Sequence, residues 1–231
     1  MKRYVLSLMA CALFTSAFTV QAQQGKWKGT VKYKLSYEGA VSPQAPTEYE
    51  IKVFENKTKF IDMFSSGATV ITNATAKSVT FMWDFSQVPV DGVQGKWYMR
   101  KKVTDEDFAK STFTFTGNTK TLAGKTVKEV NVVTKNDDGE EDKETIWVCD
   151  EVGPAMDLAF YDGLKAMPFE FTMEFKQAGV VIKFEASELK EGGVKDTDLM
   201  LETGYTEQTE DEIEELFKLL MKAYGGGDDD I

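Results

Sequence analysis

The feature that most constrains this chain is an alternation of apolar and polar residues with a period of two, repeated along most of its length. It is clearest over residues 27–37, WKGTVKYKLSY, where every second position is a large apolar residue or glycine and the rest are lysine, threonine or serine. Side chains alternate across a β-strand, so this segment predicts a long strand with one buried apolar face (the dry face) and one solvent-exposed polar face. One-sided burial is typical of antiparallel sheets.

The same alternation recurs often enough to predict a sheet of many strands. Glycine-containing turn signals, among them Asp91-Gly92 and Ala178-Gly179, separate the segments. The sequence shows no repeat of fixed period and no linker long enough to divide the chain. It therefore predicts a single mainly β domain, an antiparallel sheet with few helices. The further predicted strands are 48–54, 57–64, 68–72, 78–85, 96–102, 112–116, 126–134, 143–149, 169–175 and 180–185.

One predicted hairpin surrounds the most acidic part of the chain. The stretch KTLAGKTVKEV, residues 120–130, predicts a strand, a tight step at Gly124 and a second strand. TIWVCD, residues 145–150, would pair antiparallel with that second strand across the acidic residues 136–142. Clustered carboxylates suit Ca²⁺, but their spacing does not match an EF-hand loop, and Asp-Gly is ordinary hairpin chemistry. A solvated hairpin is therefore favoured over a calcium loop.

Three helices are expected, at 105–110, at 154–160 and near the C-terminus. The last is the best defined, because Thr209 and Glu212 form a capping box and acidic residues fill the first turn. Glycines from residue 225 end it, and residues 225–231 are expected to be a flexible acidic tail. Its apolar stripe predicts docking on the domain's own sheet, with a partner or a membrane as the alternative. The stripe consists of Ile213, Leu216, Phe217, Leu220, Met221 and Tyr224.

The N-terminus has the anatomy of a signal peptide. Lys2 and Arg3 precede an apolar stretch, and Val20-Gln21-Ala22 has the small-x-small form of a cleavage site. We expect residues 1–22 to be removed, leaving a domain over residues 23–224 with no transmembrane span. Leu8-Met9-Ala10-Cys11 resembles a lipoprotein box, but apolar sequence continues past Cys11, so ordinary secretion is favoured over lipidation.

Composition excludes several classes of function. The chain has no histidine, which removes Ser-His-Asp triads, Cys-His pairs and the commonest zinc sites. A net charge of −11 argues against a nucleic-acid partner, since phosphate binding needs a basic surface. The mature chain has one cysteine, Cys149, which we interpret as a buried thiol. Glu170 and Glu174 are interpreted as a solvated strand face, and no catalytic residue, metal site or cofactor is predicted.

Large apolar side chains on the predicted dry faces are the main candidates for a binding site. A sheet lined in this way can fill with side chains, or it can stay open around an apolar cavity, and the residues alone leave both interpretations open. The lid-helix candidates are Ile213, Leu216, Phe217 and Leu220. The candidate cavity residues are Trp27, Tyr33, Leu35, Phe81, Trp83, Phe85, Trp97, Phe169, Phe171, Met173 and Phe175.

The order of several short motifs resembles a known superfamily. A Gly-x-Val-x-Tyr strand at Gly29–Tyr33 comes first, followed by KTLAGK at 120–125, TIWVCDEV at 145–152, the strand 168–175 and the segment 198–205. This series is similar to secreted domains allied to the LolA/LppX lipoprotein-carrier superfamily. The resemblance implies a strongly curved antiparallel sheet, a half-open barrel, with helices on its concave side. It also implies an apolar cavity that holds acyl chains or other lipids.

These expectations combine into one functional hypothesis and two rivals. The first is an exported, non-catalytic binding protein, periplasmic or associated with the outer membrane, that shelters a lipid or another apolar ligand in a curved-sheet cavity. An outer-membrane or lipoprotein partner would fit that role. The alternative is a structural or protein-interaction module with a filled core and no ligand. A hydrolase using carboxylates would need two acids converging in a cleft, and the sequence offers no such pair.

Overall fold

The computed structural model describes residues 27–62, 67–104, 110–135, 139–153, 161 and 163–224. The expected signal peptide, Cys11, two predicted helices (except Lys110), part of the acidic turn and the C-terminal tail lie outside them. Within them are twelve strands, two 3₁₀ turns and the helix α1, Glu210–Ala223. The strands are β1 Lys28–Glu38, β2 Glu48–Phe54, β3 Lys57–Ile61, β4 Thr69–Asn73, β5 Ser78–Asp84, β6 Lys96–Lys102, β7 Ser111–Leu122, β8 Lys125–Lys135, β9 Glu141–Cys149, β10 Met167–Phe175, β11 Val180–Glu191 and β12 Thr206–Glu207.

All twelve strands belong to one curved, unclosed sheet. Their spatial order is β12-β6-β5-β4-β3-β2-β1-β11-β10-β9-β8-β7, and every pair is antiparallel except β12 beside β6. Strands β1 to β6 form one meander and β7 to β11 form another, and the two meanders join where β1 pairs with β11. The mainly β fold with a curved antiparallel sheet is therefore confirmed.

Two strands extend well beyond their predicted ends, and each contains a register shift. In β11 the extra residue Ser187 lies opposite the step from Lys32 to Tyr33, which resets the alternation that the prediction followed. In β7 the ladder shifts between Phe115 and Thr119, where four residue steps of β7 face two steps of β8. The two extra residues keep the phase, and the predicted strand 112–116 ended there because residues 116–121 carry no apolar side chain. In β11 the prediction ended where the bulge changes the phase.

The predicted hairpin around Gly124 is confirmed. Strand β7 ends at Leu122 and β8 begins at Lys125, so the loop has two residues. Ala123 and Gly124 have φ angles of 46° and 76°, the left-handed backbone that two-residue hairpins with the twist of their strands require. Strand β9 then pairs with β8 from Lys128 opposite Val148 to Lys135 opposite Glu141, as expected for the acidic hairpin.

The apolar core lies on one face of the sheet, which we call the inner face. Strand register places Tyr33, Tyr49, Phe60, Trp83 and Phe184 on this same face. All five side chains are buried, which agrees with the dry face that the alternation predicts. The opposite face, called the outer face, carries mainly charged and hydroxyl side chains along β3 to β6.

The chain after β11 passes over the outer face and then around one edge of the sheet. Residues 192–205, the crossover segment, are held by ion pairs from Lys57 to Asp196 at 2.6 Å and from Lys59 to Glu202 at 3.0 Å. Leu199 is buried against the sheet. The chain then forms the edge strand β12 beside β6 and enters α1 on the inner face.

Helix α1 confirms the predicted cap and most of the predicted stripe. The Glu212 amide donates to Thr209 Oγ1 at 3.3 Å, and the Thr209 amide donates to the Glu212 carboxylate at 2.7 Å. Ile213 and Leu216 are buried in the core. Met221 and Tyr224 do not belong to the docked stripe, because they are 54% and 67% exposed in the last turn and at the C-cap.

Candidate functional site

The middle of the inner face holds six buried aromatic rings, which we call the central cluster. Phe171 and Phe184 stack with ring centroids 4.5 Å apart. Tyr49 meets Phe184 edge to face at 5.5 Å, in the geometry that aromatic pairs prefer. No member is more than 5% exposed. The cluster consists of Tyr33, Tyr49, Phe60, Tyr161, Phe171 and Phe184.

Two tyrosine hydroxyls of the central cluster are hydrogen-bonded inside the protein. Tyr33 donates to the backbone carbonyl of Pro168 at 2.8 Å, and Tyr161 donates to the Glu144 carboxylate at 3.2 Å. Burial raises the pKa of Glu144, although the Tyr161 hydrogen bond opposes the change. Burial also raises the pKa of Tyr33, so this phenol stays neutral. The hydroxyls therefore fix ring positions rather than offering reactive groups.

A second group of aromatic rings lies toward the β6 edge, and we call it the peripheral cluster. Phe217 of α1 meets Trp83 at 5.8 Å and Phe85 at 6.0 Å, both edge to face. Trp83 is buried, whereas the other four side chains are only half-buried. Trp97 lies opposite Trp83 in the ladder and donates its indole N–H to the Val93 carbonyl at 3.0 Å. The cluster consists of Phe81, Trp83, Phe85, Trp97 and Phe217.

The remaining candidate cavity residues belong to neither cluster. Trp27 is half-buried and packs over Gly29, where an added Cβ would come within 2.8 Å of the indole. Leu35 and Phe169 are buried in the core. Met173 and Phe175 are half-buried on the inner face, at the C-terminal end of β10. The structure therefore brings six of the nine aromatic candidates together in two clusters, and the other candidates lie near β1 and along β10.

The lid candidates lie together on the sheet-facing side of α1. Ile213 and Leu216 reach the core, and Phe217 and Leu220 pack against it as half-buried residues. The helix contacts the aromatic rings of β5 and the residue after it through Phe217. Helix α1 therefore covers Trp83 and Phe85, whereas Trp97 lies against Val93 of the loop before β6.

A groove on the outer face was missed by sequence reasoning. It lies between β3 to β6 and the crossover segment and has a volume of about 560 Å³. Strand register places two rows of side chains on its floor, Ile71-Thr80-Arg100 and Asn73-Ser78-Lys102. Leu199, Met200 and Leu201 form its apolar wall. We call this the outer groove. Arg100, the only arginine after Arg3, was the signal that could have pointed to it.

Glu170 is not the solvated carboxylate that the sequence predicts. It receives ion pairs from Lys120 of β7 and, at 3.1 Å, from Lys183 of β11. Burial would raise its pKa, but the hydrogen bonds from the two lysines outweigh burial and hold the pKa below the usual value. The Lys120 ammonium also lies 4.3 Å from the Trp147 ring centroid. Glu170 therefore joins strands where β7 folds over β9 and β10.

Cys149 is a buried thiol, as predicted. It is 0% exposed, and burial raises its pKa, which lowers the thiolate fraction and with it the reactivity.

Within the part of the chain that the structure describes, no three or more Cys, Asp or Glu residues form a group that could hold a metal ion. Among these residues no helix has the length and apolar character needed to cross a bilayer.

Several solved structures resemble this chain distantly, including the following two. One is an uncharacterized conserved protein from Thermus thermophilus, at 10% identity and a TM-score of 0.38, covering 79% of this chain and 90% of that one. The other is a domain named as an outer membrane lipoprotein-sorting protein from Vibrio parahaemolyticus, at 10% identity and a TM-score of 0.24, covering 76% and 90%. With TM-scores this low, neither likeness bears on function. No family model and no curated protein matches.

Proposed function

We propose that this chain is an exported, non-catalytic binding protein that shelters a lipid or another apolar ligand on the inner face of its sheet. One observation carries the proposal: four of the five rings of the peripheral cluster are only half-buried, beneath α1 and the loop before β6. Half-buried aromatic rings grouped in this way suit an apolar guest, since each buried methylene contributes about 0.8 kcal/mol. The lipid-carrier resemblance of the sequence points the same way.

The ligand would lie between β5, β6 and α1. Phe81, Phe85 and Trp97 offer half-buried ring surface there, and Phe217 with Leu220 would close over the guest. The central cluster, by contrast, has its rings in mutual contact and acts as the filled part of the core. Movement of α1 away from the sheet would admit the ligand, with the periplasm or the outer membrane as the place of action and an outer-membrane or lipoprotein partner as the source.

A second function has its own supporting observation. The stacked pair Phe171–Phe184 and the buried hydroxyl of Tyr33 are typical of a filled core. If the whole inner face is filled in this way, the chain is a structural or protein-interaction module without a ligand. The two functions differ in whether an apolar molecule can reach the ring of Trp83.

Tryptophan quenching by a brominated fatty acid tests this difference. We expect 9,10-dibromostearate to quench the fluorescence of the wild-type protein, because Trp83 and Trp97 lie in the proposed site. Trp83→Phe should remove much of the quenching. Trp147→Phe is the matched control, since Trp147 lies on the other face of β9, near Lys120, and it should leave the quenching intact. Native mass spectrometry of protein purified without detergent should also find bound lipid.

The opposite result would support the filled-core module. In that case the purified protein would contain no lipid, and the brominated acid would leave its fluorescence unchanged. Quenching that Trp147→Phe abolishes and Trp83→Phe preserves would place the ligand elsewhere and would also contradict the proposal.

A further inference from the structure

The outer groove has a positive charge at one end that the described residues leave uncompensated. Lys57 and Lys59, at the β3 end, are neutralised by Asp196 and Glu202 of the crossover segment. At the β6 end, neither Arg100 nor Lys102 forms an ion pair with any residue that the structure describes. Several other lysines pair with carboxylates, among them Lys28, Lys96 and Lys218, whereas the two cations of the groove remain available to an anionic ligand.

Arg100 is held in position but keeps most of its donors available. Its Nε donates to Thr80 Oγ1 at 3.4 Å, and its guanidinium lies 5.7 Å from the Tyr98 ring centroid. Glu207, the acidic residue paired with Tyr98 across β12 and β6, is engaged by the Tyr98 hydroxyl. The terminal guanidinium N–H groups can therefore point to a ligand, and their planar fork suits a carboxylate or a phosphate.

The rest of the groove is polar on its floor and apolar on its wall. Asn73, Ser78 and Thr80 supply short hydrogen-bonding side chains between the two charged ends. Leu199 is buried above them, and Met200 is 52% exposed at the rim. A volume of about 560 Å³ falls within the usual range for small-molecule sites, roughly 300–1,000 Å³.

We propose that the outer groove binds an amphipathic organic anion, with its acid head group on Arg100 and Lys102 and its short apolar body beneath Leu199 and Met200. The cationic end selects the head group, and the crossover segment supplies the apolar contact. This site is separate from the inner-face site proposed above, because strand register puts Arg100 and Trp83 on opposite faces of the sheet. The proposal for either site can be contradicted without affecting the proposal for the other.

Isothermal titration calorimetry with octyl phosphate tests the proposal. We expect one molecule to bind per chain, with inorganic phosphate binding far more weakly and octyltrimethylammonium not binding, because the groove requires both an acid and an apolar body. Arg100→Gln should lower the affinity for octyl phosphate by about tenfold or more, the usual effect of losing a charge-assisted hydrogen bond. The labelled methyl group of Met200 should shift in NMR spectra on addition of octyl phosphate.

Lys101→Gln is the matched control. It removes one positive charge from the next residue of β6, whose side chain lies on the other face opposite Val79, and it should change the affinity by less than about twofold. Circular dichroism should show both variants folded, as expected for exposed side chains. The proposal is overturned by absence of binding, by binding that Arg100→Gln leaves unchanged, or by equal loss in both variants. Quenching of Trp83 by the brominated acid should not respond to Arg100→Gln.

Discussion

The central and peripheral clusters lie on the same face of one sheet and are built from the same kinds of residue, yet they differ in what covers them. The central rings contact one another and are at most 5% exposed. The peripheral rings other than Trp83 are half-buried, and α1 meets the rings of the sheet through Phe217. Aromatic content on a dry strand face therefore does not distinguish a filled core from a binding surface. The covering element does.

The largest expected difference between the clusters is in stability. Phe184→Ala should lower the free energy of unfolding by about 3–5 kcal/mol, because the ring is fully buried and stacked on Phe171. Phe217→Ala should cost roughly 1–2 kcal/mol, since only part of its ring area is buried. Urea unfolding of both variants measures the two values. Equal costs would mean that the peripheral cluster is packed as tightly as the central one.

The buried hydroxyl of Tyr33 gives the next largest effect. Tyr33→Phe removes the donor to the Pro168 carbonyl and should destabilise the fold by about 1–3 kcal/mol, the usual cost of leaving a buried polar group unpaired. Tyr37→Phe is the control, because its hydroxyl donates to Pro46 at the exposed end of β1. It should cost less than about 0.5 kcal/mol in the same urea experiment. A loss for Tyr37→Phe as large as that for Tyr33→Phe would contradict this interpretation.

The cap of α1 should affect the peripheral cluster alone. Thr209→Ala removes the side chain that accepts from the Glu212 amide, and losing such a cap costs about 1 kcal/mol. Hydrogen exchange in α1 should accelerate roughly fivefold, which is that cost expressed as a ratio, while exchange in β10 and β11 stays unchanged. Thr209→Ser keeps the hydroxyl and should behave as wild type. Equal acceleration in β11 would show that the helix and the central cluster open together.

The smallest expected effect is the pH response of the central cluster through Glu144. Burial raises the folded-state pKa of Glu144 above its ordinary value of 4.5, so the folded protein binds this proton more tightly than the unfolded chain does. Stability from this group is therefore present at acid pH and declines as pH rises from 4.5 through the raised folded pKa. Glu144→Gln should remove that decline, as seen in urea midpoints at several pH values. If stability declined with pH as steeply in the variant as in the wild type, the role of Glu144 would be contradicted.

The sequence predicted the fold better than the sites. Alternation identified the strands and the inner face, because a period of two is a property of the strand itself. It missed the continuity of β7 between Phe115 and Lys120, where apolar side chains are absent, and the end of β11, where the bulge at Ser187 changes the phase. It named Tyr33 and Phe81 alike as cavity candidates, since alternation reports the face of a residue and not what lies above it. The outer groove forms because residues 199–201, distant in sequence, lie over the side chains of β3 to β6. No local pattern encodes that contact.

The ladder between β1 and β11 has a consequence for how the chain folds. Each meander consists mainly of strands that are neighbours in sequence, whereas Gly29 pairs with Glu191 across most of the chain. Contacts between near neighbours close small loops and form early, and pairing at long sequence separation is entropically expensive and slow. Strand β1 can therefore pair along its second edge only after β11 has been brought beside it. We expect formation of the β1–β11 ladder to be the step that joins the two half-sheets.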